Sequence, residues 1–248
     1  MTQEDGLYMY CIIKSPKSAS FGNIGIGGRG DEVRTVGYDD MHAVVSQAPL
    51  TKYDASRENM MAHELVIETV MKDYAVLPLR FATVMNEESD VKQLLKGKYD
   101  RFVEELERVE GKVELGVKAI AKKDVVFGEI LLKNNDIRAL KEKIQGLPYE
   151  KTYYDRLAIG QMVENALEDE KKKYRKIILE ALEPVALEMK ENKSFGDRMI
   201  VNASFFVDKE RESQFDNCVN ELGEKYNDKI IFKYVGGIPP YSFVNLSL

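Results

Sequence analysis

The chain has 248 residues, 44% of them hydrophobic and 31% charged, close to the globular average, so it can bury a core and is neither disordered nor collagen-like. Its length suits one large domain or two small ones, and two are expected. With 36 Lys+Arg against 42 Asp+Glu the net charge is −6, which argues against non-specific nucleic-acid binding, a property of basic surfaces.

Leu7 to Lys14 (LYMYCIIK) is aromatic and β-branched and reads as a strand. A loop rich in Gly and Ser runs to Gly30, and Val33 to Gly37 with Met41 to Ser46 then form a hairpin pattern. Asp54 or Ser56 can cap a helix running to about Tyr74, in which Met60, His63, Ile67, Val70, Met71 and Tyr74 share a face. Val76 to Phe81 reads as a short strand, and Pro78, lacking an N–H, places it on a sheet edge. From Asn86 to Gly111 the composition turns charged and helical, and a domain boundary is expected there, giving domains 1–110 and 111–248.

Lys112 to Ala121 alternates apolar and polar residues and is a strand. Helices are expected over Gly128 to Gln145 and from Tyr149 to about Asn192, the second kinked at Pro184. A strand (Met199 to Val207), a helix (Glu210 to Tyr226) and a strand (Lys229 to Val235) follow. The fold class is therefore α+β in both halves, the second compatible with a modified ferredoxin-like domain with long helices. The tail from Gly236 to Leu248 carries Ile238, Tyr241, Phe243, Val244, Leu246 and Leu248, enough apolar surface to predict an ordered clasp.

No transmembrane segment is expected: the longest uncharged run, Tyr234 to Leu248, is too short and is broken by Gly236-Gly237 and Pro239-Pro240. The opening Met1-Thr2-Gln3-Glu4-Asp5 is acidic where a secretory leader would be basic, so a cytoplasmic protein is expected. Cys11 and Cys218 lie far apart, without CxxC spacing, and read as reduced packed thiols.

The spacing of Gly25, Gly27 and Gly30 matches GxGxxG, but a strand pattern follows where a dinucleotide site needs a helix N-terminus. His63-Glu64 opens like HExxH, but Ile67 stands where the second imidazole would be. No nucleophile and base constellation is visible, so no catalytic residue, metal or cofactor is expected, and His42 and His63 read as packed or hydrogen-bonded side chains. More informative are Arg57, Glu58 and Asn59 at the helix start, and Arg80 beside Phe81 in the apolar stretch AVLPLRFATV. A buried arginine needs a carboxylate, and Glu58 or Glu64 is the expected partner.

The blocks FGNIGIGGRGDEVRTVGYDDMHAVVS (from Phe21), YDASRENMMAHELVIETVM (from Tyr53), VLPLRFATV (from Val76), YYDRLAIG (from Tyr153), NASFFVDKERESQFD (from Asn202) and the closing GGIPPYSFVNL resemble the gas vesicle GvpF/GvpL family, in order over nearly the whole chain. Two departures are Ala82, where the family often has Gly after the Arg-Phe pair, and Ile238, where it often has Trp before the prolines. The resemblance implies an accessory protein of gas vesicle assembly, either an assembly factor or a minor structural component, in the cytoplasm or on the gas vesicle. Its implied partners are the hydrophobic major shell protein and other accessory proteins. Arg29, Arg57, Glu58, Asn59, Pro78, Arg80, Phe81, Tyr154 and Arg156 are the candidate partner-binding or structural residues. The N-terminal domain, with Pro78 marking an edge strand and the glycine loop beside it, is the expected contact region. The alternative is a small-molecule or nucleotide-binding enzyme using the Gly22 to Gly30 loop and Arg29.

Overall fold

The computed structural model describes residues 4–246. The chain groups into two compact units: one takes the chain up to Glu114 and again from Gly237 on, the other spans Leu115–Gly236. The boundary expected at 111 gave the whole tail to the second half. The tail instead counts with the first unit, because its buried side chains and its hydrogen bonds are made there.

In the first unit, β1 (Asp5–Lys14) is buried at every position but its ends, since a strand apolar throughout needs cover on both faces. After β2 (Ser20–Gly22), β3 (Val33–Tyr38) and β4 (Met41–Pro49), the helix α1 (Arg57–Met71) starts at Ser56, whose side chain accepts from the Asn59 N–H. Two short strands, β5 (Leu77–Pro78) and β6 (Val84–Met85), precede the helices α2 (Glu88–Gly97) and α3 (Tyr99–Val109). The sheet order is β2-β3-β4-β1-β5, with β6 also on β1. Register between β1 and β4 slips between Met9 and Cys11, leaving Tyr10 as the extra residue, and this bulge lets Tyr8 and Tyr10 share one core with Cys11 and Ile13. Val66, Ile67 and Val70 of α1 close that core.

The second unit is built on β7 (Lys112–Ala121), then α4 (Lys123–Lys133), α5 (Asn135–Ile144) and α6 (Tyr149–Leu182). Next come β8 (Glu188–Glu191), β9 (Met199–Asp208), α7 (Glu212–Lys225) and β10 (Ile230–Ile238). The strand order β10-β7-β9-β8 puts the fourth strand beside the first and the third between first and second, the ferredoxin-like arrangement with three helices in its first crossover.

Two of the helices end earlier than their sequence pattern predicts. The helix expected over Gly128 to Gln145 breaks at Asn134, whose side-chain amide donates to the Ile130 carbonyl 2.8 Å away. The long helix does not reach Asn192: it ends at Leu182, with Pro184 inside a 3-10 turn, and Glu188–Glu191 pairs antiparallel with β9. Proline has no N–H for the ladder and its ring crowds the carbonyl four residues back, so Pro184 ends the helix instead of kinking it. The strand it releases carries Glu188, Lys190 and Glu191, charges that discourage further pairing at a sheet edge.

The tail is an ordered clasp within the first unit. Pro239, Pro240, Phe243 and Leu246 are buried, while Leu248, also expected in the clasp, lies outside the described residues, as do Met1 to Gln3. Glu114, only 2% exposed, accepts from the Ser242 backbone N–H at 2.7 Å and from its hydroxyl at 2.5 Å. Arg101 and Arg108 of α3 donate to the carbonyls of Asn245 (2.8 Å) and Phe243 (3.0 Å). Ile238 is half-buried where β10 ends.

Candidate functional site

The inward face of α1 carries a histidine into an aromatic core. His63 is buried, with its ring 5.6 Å from that of Tyr8, 5.7 Å from Tyr10 and 5.8 Å from Phe81. Ala82 N–H donates to the Tyr8 hydroxyl at 2.8 Å, which leaves the phenol proton to be donated to His63 Nδ1 at 3.0 Å. His63 Nε2 faces the Leu79 carbonyl at 3.3 Å, and a carbonyl can only accept, so the imidazole is neutral with its proton on Nε2. Burial away from water pushes its pKa down to about 4, the Leu79 carbonyl opposing weakly. Both nitrogens are engaged, so His63 is a structural hub with no free valence for a metal or a substrate.

Beside this hub lies a cleft of about 220 Å3 lined by Met60, His63, Glu64, Leu79, Arg80, Phe81 and Tyr241. Its walls come from α1, from the turn after β5 and from the clasp. The Tyr241 hydroxyl is buried and has no hydrogen-bond partner among the described residues, and desolvation, reinforced by Glu64, pushes its pKa up. Met60, on the cleft wall, is 43% exposed, and beyond it on the outer side of α1 Met61 and Leu65 are 56% and 50% exposed. An uncovered row of large apolar side chains at the mouth of such a cleft is suited to contact with another apolar surface.

The sequence candidates distribute unevenly around this cleft. Arg80 and Phe81 line it, and Arg57, Glu58 and Asn59 form the first turn of the same helix. Asn59 serves the cap, its side chain donating to the Asp54 carbonyl at 3.0 Å. The ion pair expected for Arg80 is not formed: its side chain is exposed and, among the described residues, meets neither Glu58 nor Glu64. The chain turns outward after Leu79, so this arginine stays in water and needs no partner. Pro78 pairs with Cys11 on the sheet edge, as its missing N–H demands, but it is buried and α3 packs on β5, so that edge is covered.

Arg29 is bound within the chain, its two terminal nitrogens each 3.0 Å from an Asp5 carboxylate oxygen and its Nε 2.9 Å from Asp31. The glycine loop around it is pinned by the Ile26 N–H, which donates to the Tyr10 hydroxyl at 2.8 Å. Gly27 in this loop has φ 86°, which a side chain would strain, and a strand, not a helix, follows Gly30. Tyr154 and Arg156 lie on α6 in the other unit. Sequence reasoning missed Tyr241 as a wall of the cleft and Tyr8 as the partner of His63. The i, i+2 spacing of Tyr8 and Tyr10 on a strand was the available signal.

Ala82 holds φ 64°, a left-handed conformation that costs an alanine roughly 1 kcal/mol relative to glycine. It is exposed, so Ala82→Gly should raise stability by about 1 kcal/mol in urea unfolding. An unchanged or lowered midpoint would show that the turn is unstrained.

Together these features define a two-unit α+β protein with a ferredoxin-like second unit and, in the first, a cleft beside exposed apolar side chains. Among the described residues, no group of three or more His, Cys, Asp or Glu could hold a metal ion, and no helix is long and apolar enough to cross a membrane. Comparison with known proteins places this architecture. The family model described as gas vesicle synthesis protein GvpL/GvpF matches residues 6–245, and the chain belongs to that family. Gas vesicle protein F of Streptomyces sp. (strain CB03234) is 29% identical over 238 residues, covering 96% of this chain and 98% of its own length. Gas vesicle protein L of the same strain is 38% identical over 109 residues, 39% of this chain and 40% of its own. The crystal structure of GvpF from Anabaena sp. PCC7120 superposes with a TM-score of 0.81 at 27% identity, covering 98% of this chain and all of that one. The role of the chain is in gas vesicle formation.

Proposed function

We propose that this protein is a non-enzymatic assembly factor or minor component of the gas vesicle, working in the cytoplasm, that binds the hydrophobic major shell subunit through the outer face of α1 and the adjoining cleft. The observation that carries this reading is the row Met60, Met61 and Leu65, left in water beside an apolar cleft in a chain of a gas vesicle family. A shell subunit with a gas-facing apolar surface aggregates unless something covers it before it joins the wall, and an exposed apolar row on a folded carrier meets that need. The sheet edge at Pro78 is less suited, being buried. The experiment is binding of purified shell protein to the full chain. Met61→Asp and Leu65→Asp, at exposed positions, should leave the fold intact and weaken binding about tenfold or more. Equal binding by both variants would refute the assignment of this face.

A further inference from the structure

The second unit carries a different exposed surface with a chemistry of its own. On α6, Tyr149, Tyr153 and Leu157 follow one another at i, i+4 and i+8, and are 61%, 44% and 55% exposed. Tyr154, beside them, is 83% exposed. The rings pack on each other, Tyr149 to Tyr153 at 6.1 Å and Tyr153 to Tyr154 at 5.4 Å, so the stripe is preformed on a rigid helix.

One flank of the stripe is cationic. The Arg156 guanidinium lies 5.6 Å from the centre of the Tyr149 ring, its Nε donating to Thr152 at 2.9 Å. It lines a cleft of about 550 Å3 together with Arg138, Lys141 and Glu142 of α5, three cations against one carboxylate. Among the described residues none of these three cations has an ion-pair partner, whereas neighbouring Lys143 pairs with Asp155 at 3.7 Å. Residues 138–156 hold five Lys or Arg against three Asp or Glu, a local charge of +2 in a chain whose net charge is −6. A net positive charge therefore gathers beside the aromatic stripe of an acidic protein.

Gly160 supplies an independent observation. It stands inside a 34-residue helix and weakens it, yet a Cβ built there would meet nothing within 4 Å. Four residues after Arg156 and seven after Tyr153, it lies on the stripe's own face, and no packing within the chain calls for a missing side chain there. It leaves a notch where another backbone can approach the helix closely.

We propose that this face of α5 and α6 docks an acidic amphipathic segment of a partner protein, its apolar side chains on Tyr149, Tyr153, Tyr154 and Leu157 and its carboxylates on Arg138, Lys141 and Arg156. Aromatic side chains and arginine are the groups from which protein contact hot spots are made, and the unpaired cations select the sign of the partner. The surface is independent of the α1 face, and its occupant differs in charge chemistry from a purely apolar one.

The test places a photoreactive benzoylphenylalanine at position 154 of the full chain, with position 193 as an exposed control, in cells forming gas vesicles. Irradiation is followed by mass-spectrometric mapping of the adduct. A heterologous adduct is expected from position 154 and not from 193, on a segment where carboxylates and apolar residues alternate at helical spacing. Combined Arg138→Glu, Lys141→Glu and Arg156→Glu should cut its yield about fivefold or more. Gly160→Gln should do the same while raising the melting temperature, which a loss of fold would not do. No adduct, an adduct only to a second copy of this chain, one on a segment without carboxylates, or a yield indifferent to these substitutions overturns the proposal.

Discussion

Phe243→Ala should destabilise the first unit by about 3–5 kcal/mol and lower its melting temperature by roughly 6–20 °C, the range for emptying an aromatic core position in a chain of this size. Phe243 is 3% exposed, and its carbonyl is held by Arg108 at 3.0 Å, so the ring cannot be replaced by a shift of the chain. Ending the chain after Gly236 should go at least as far, because Leu246 and the Glu114 to Ser242 contacts are lost with it. Differential scanning calorimetry of the full chain and the two variants decides this. A melting curve unmoved by either would mean that the tail is a passenger.

Acid should loosen the same unit through His63. Its folded pKa is lowered from 6.5 to about 4, so between those values the unfolded chain binds a proton that the folded chain refuses. Stability is therefore complete above about pH 6.5 and falls as the pH drops toward 4, by about 3 kcal/mol in all at 1.36 kcal/mol per pKa unit. The groups facing the ring are the Tyr8 hydroxyl, the Leu79 carbonyl and the rings of Tyr10 and Phe81, with Glu64 next along the helix, and none offers a carboxylate to the buried imidazole. In this unit Asp5, held low by Arg29, and Asp40, held low by the Tyr99 hydroxyl, lose their contribution below about pH 4, under the His63 window. His63→Gln, which can still bond Tyr8 and Leu79 but does not titrate, should flatten the slope of urea-unfolding stability between pH 6.5 and 4. An equal slope in both proteins would contradict the role given to His63.

The parts of the fold legible in the sequence are those where one period dominates. Alternation in Lys112–Ala121 and Met199–Asp208 marks strands, and a run such as LYMYCIIK marks a strand buried on both sides. Glu188–Glu191 was illegible because EMKE has helix-favouring residues and follows a long helix; only pairing with β9 makes it a strand. Arg80 misled because AVLPLRFATV reads as one apolar segment, while burial stops at Leu79 and the chain turns at Ala82 with positive φ. Glu114, set between Val113 and Leu115, reads as a solvent-facing position, and only the return of the tail buries it. The cleft was half legible: Arg80 and Phe81 stood out as neighbours, but Tyr241 reaches them from far along the chain.

Isothermal titration of the shell protein into the full chain and into Leu65→Asp, at low and moderate salt, decides whether the α1 face holds the shell subunit by apolar contact. A complex with the unaltered chain that salt weakens only modestly is expected, since apolar contact is screened far less than exposed ion pairs, with an affinity about tenfold or more lower for Leu65→Asp at both salt concentrations. A complex that moderate salt dissolves, or one that Leu65→Asp leaves unchanged, would contradict such contact.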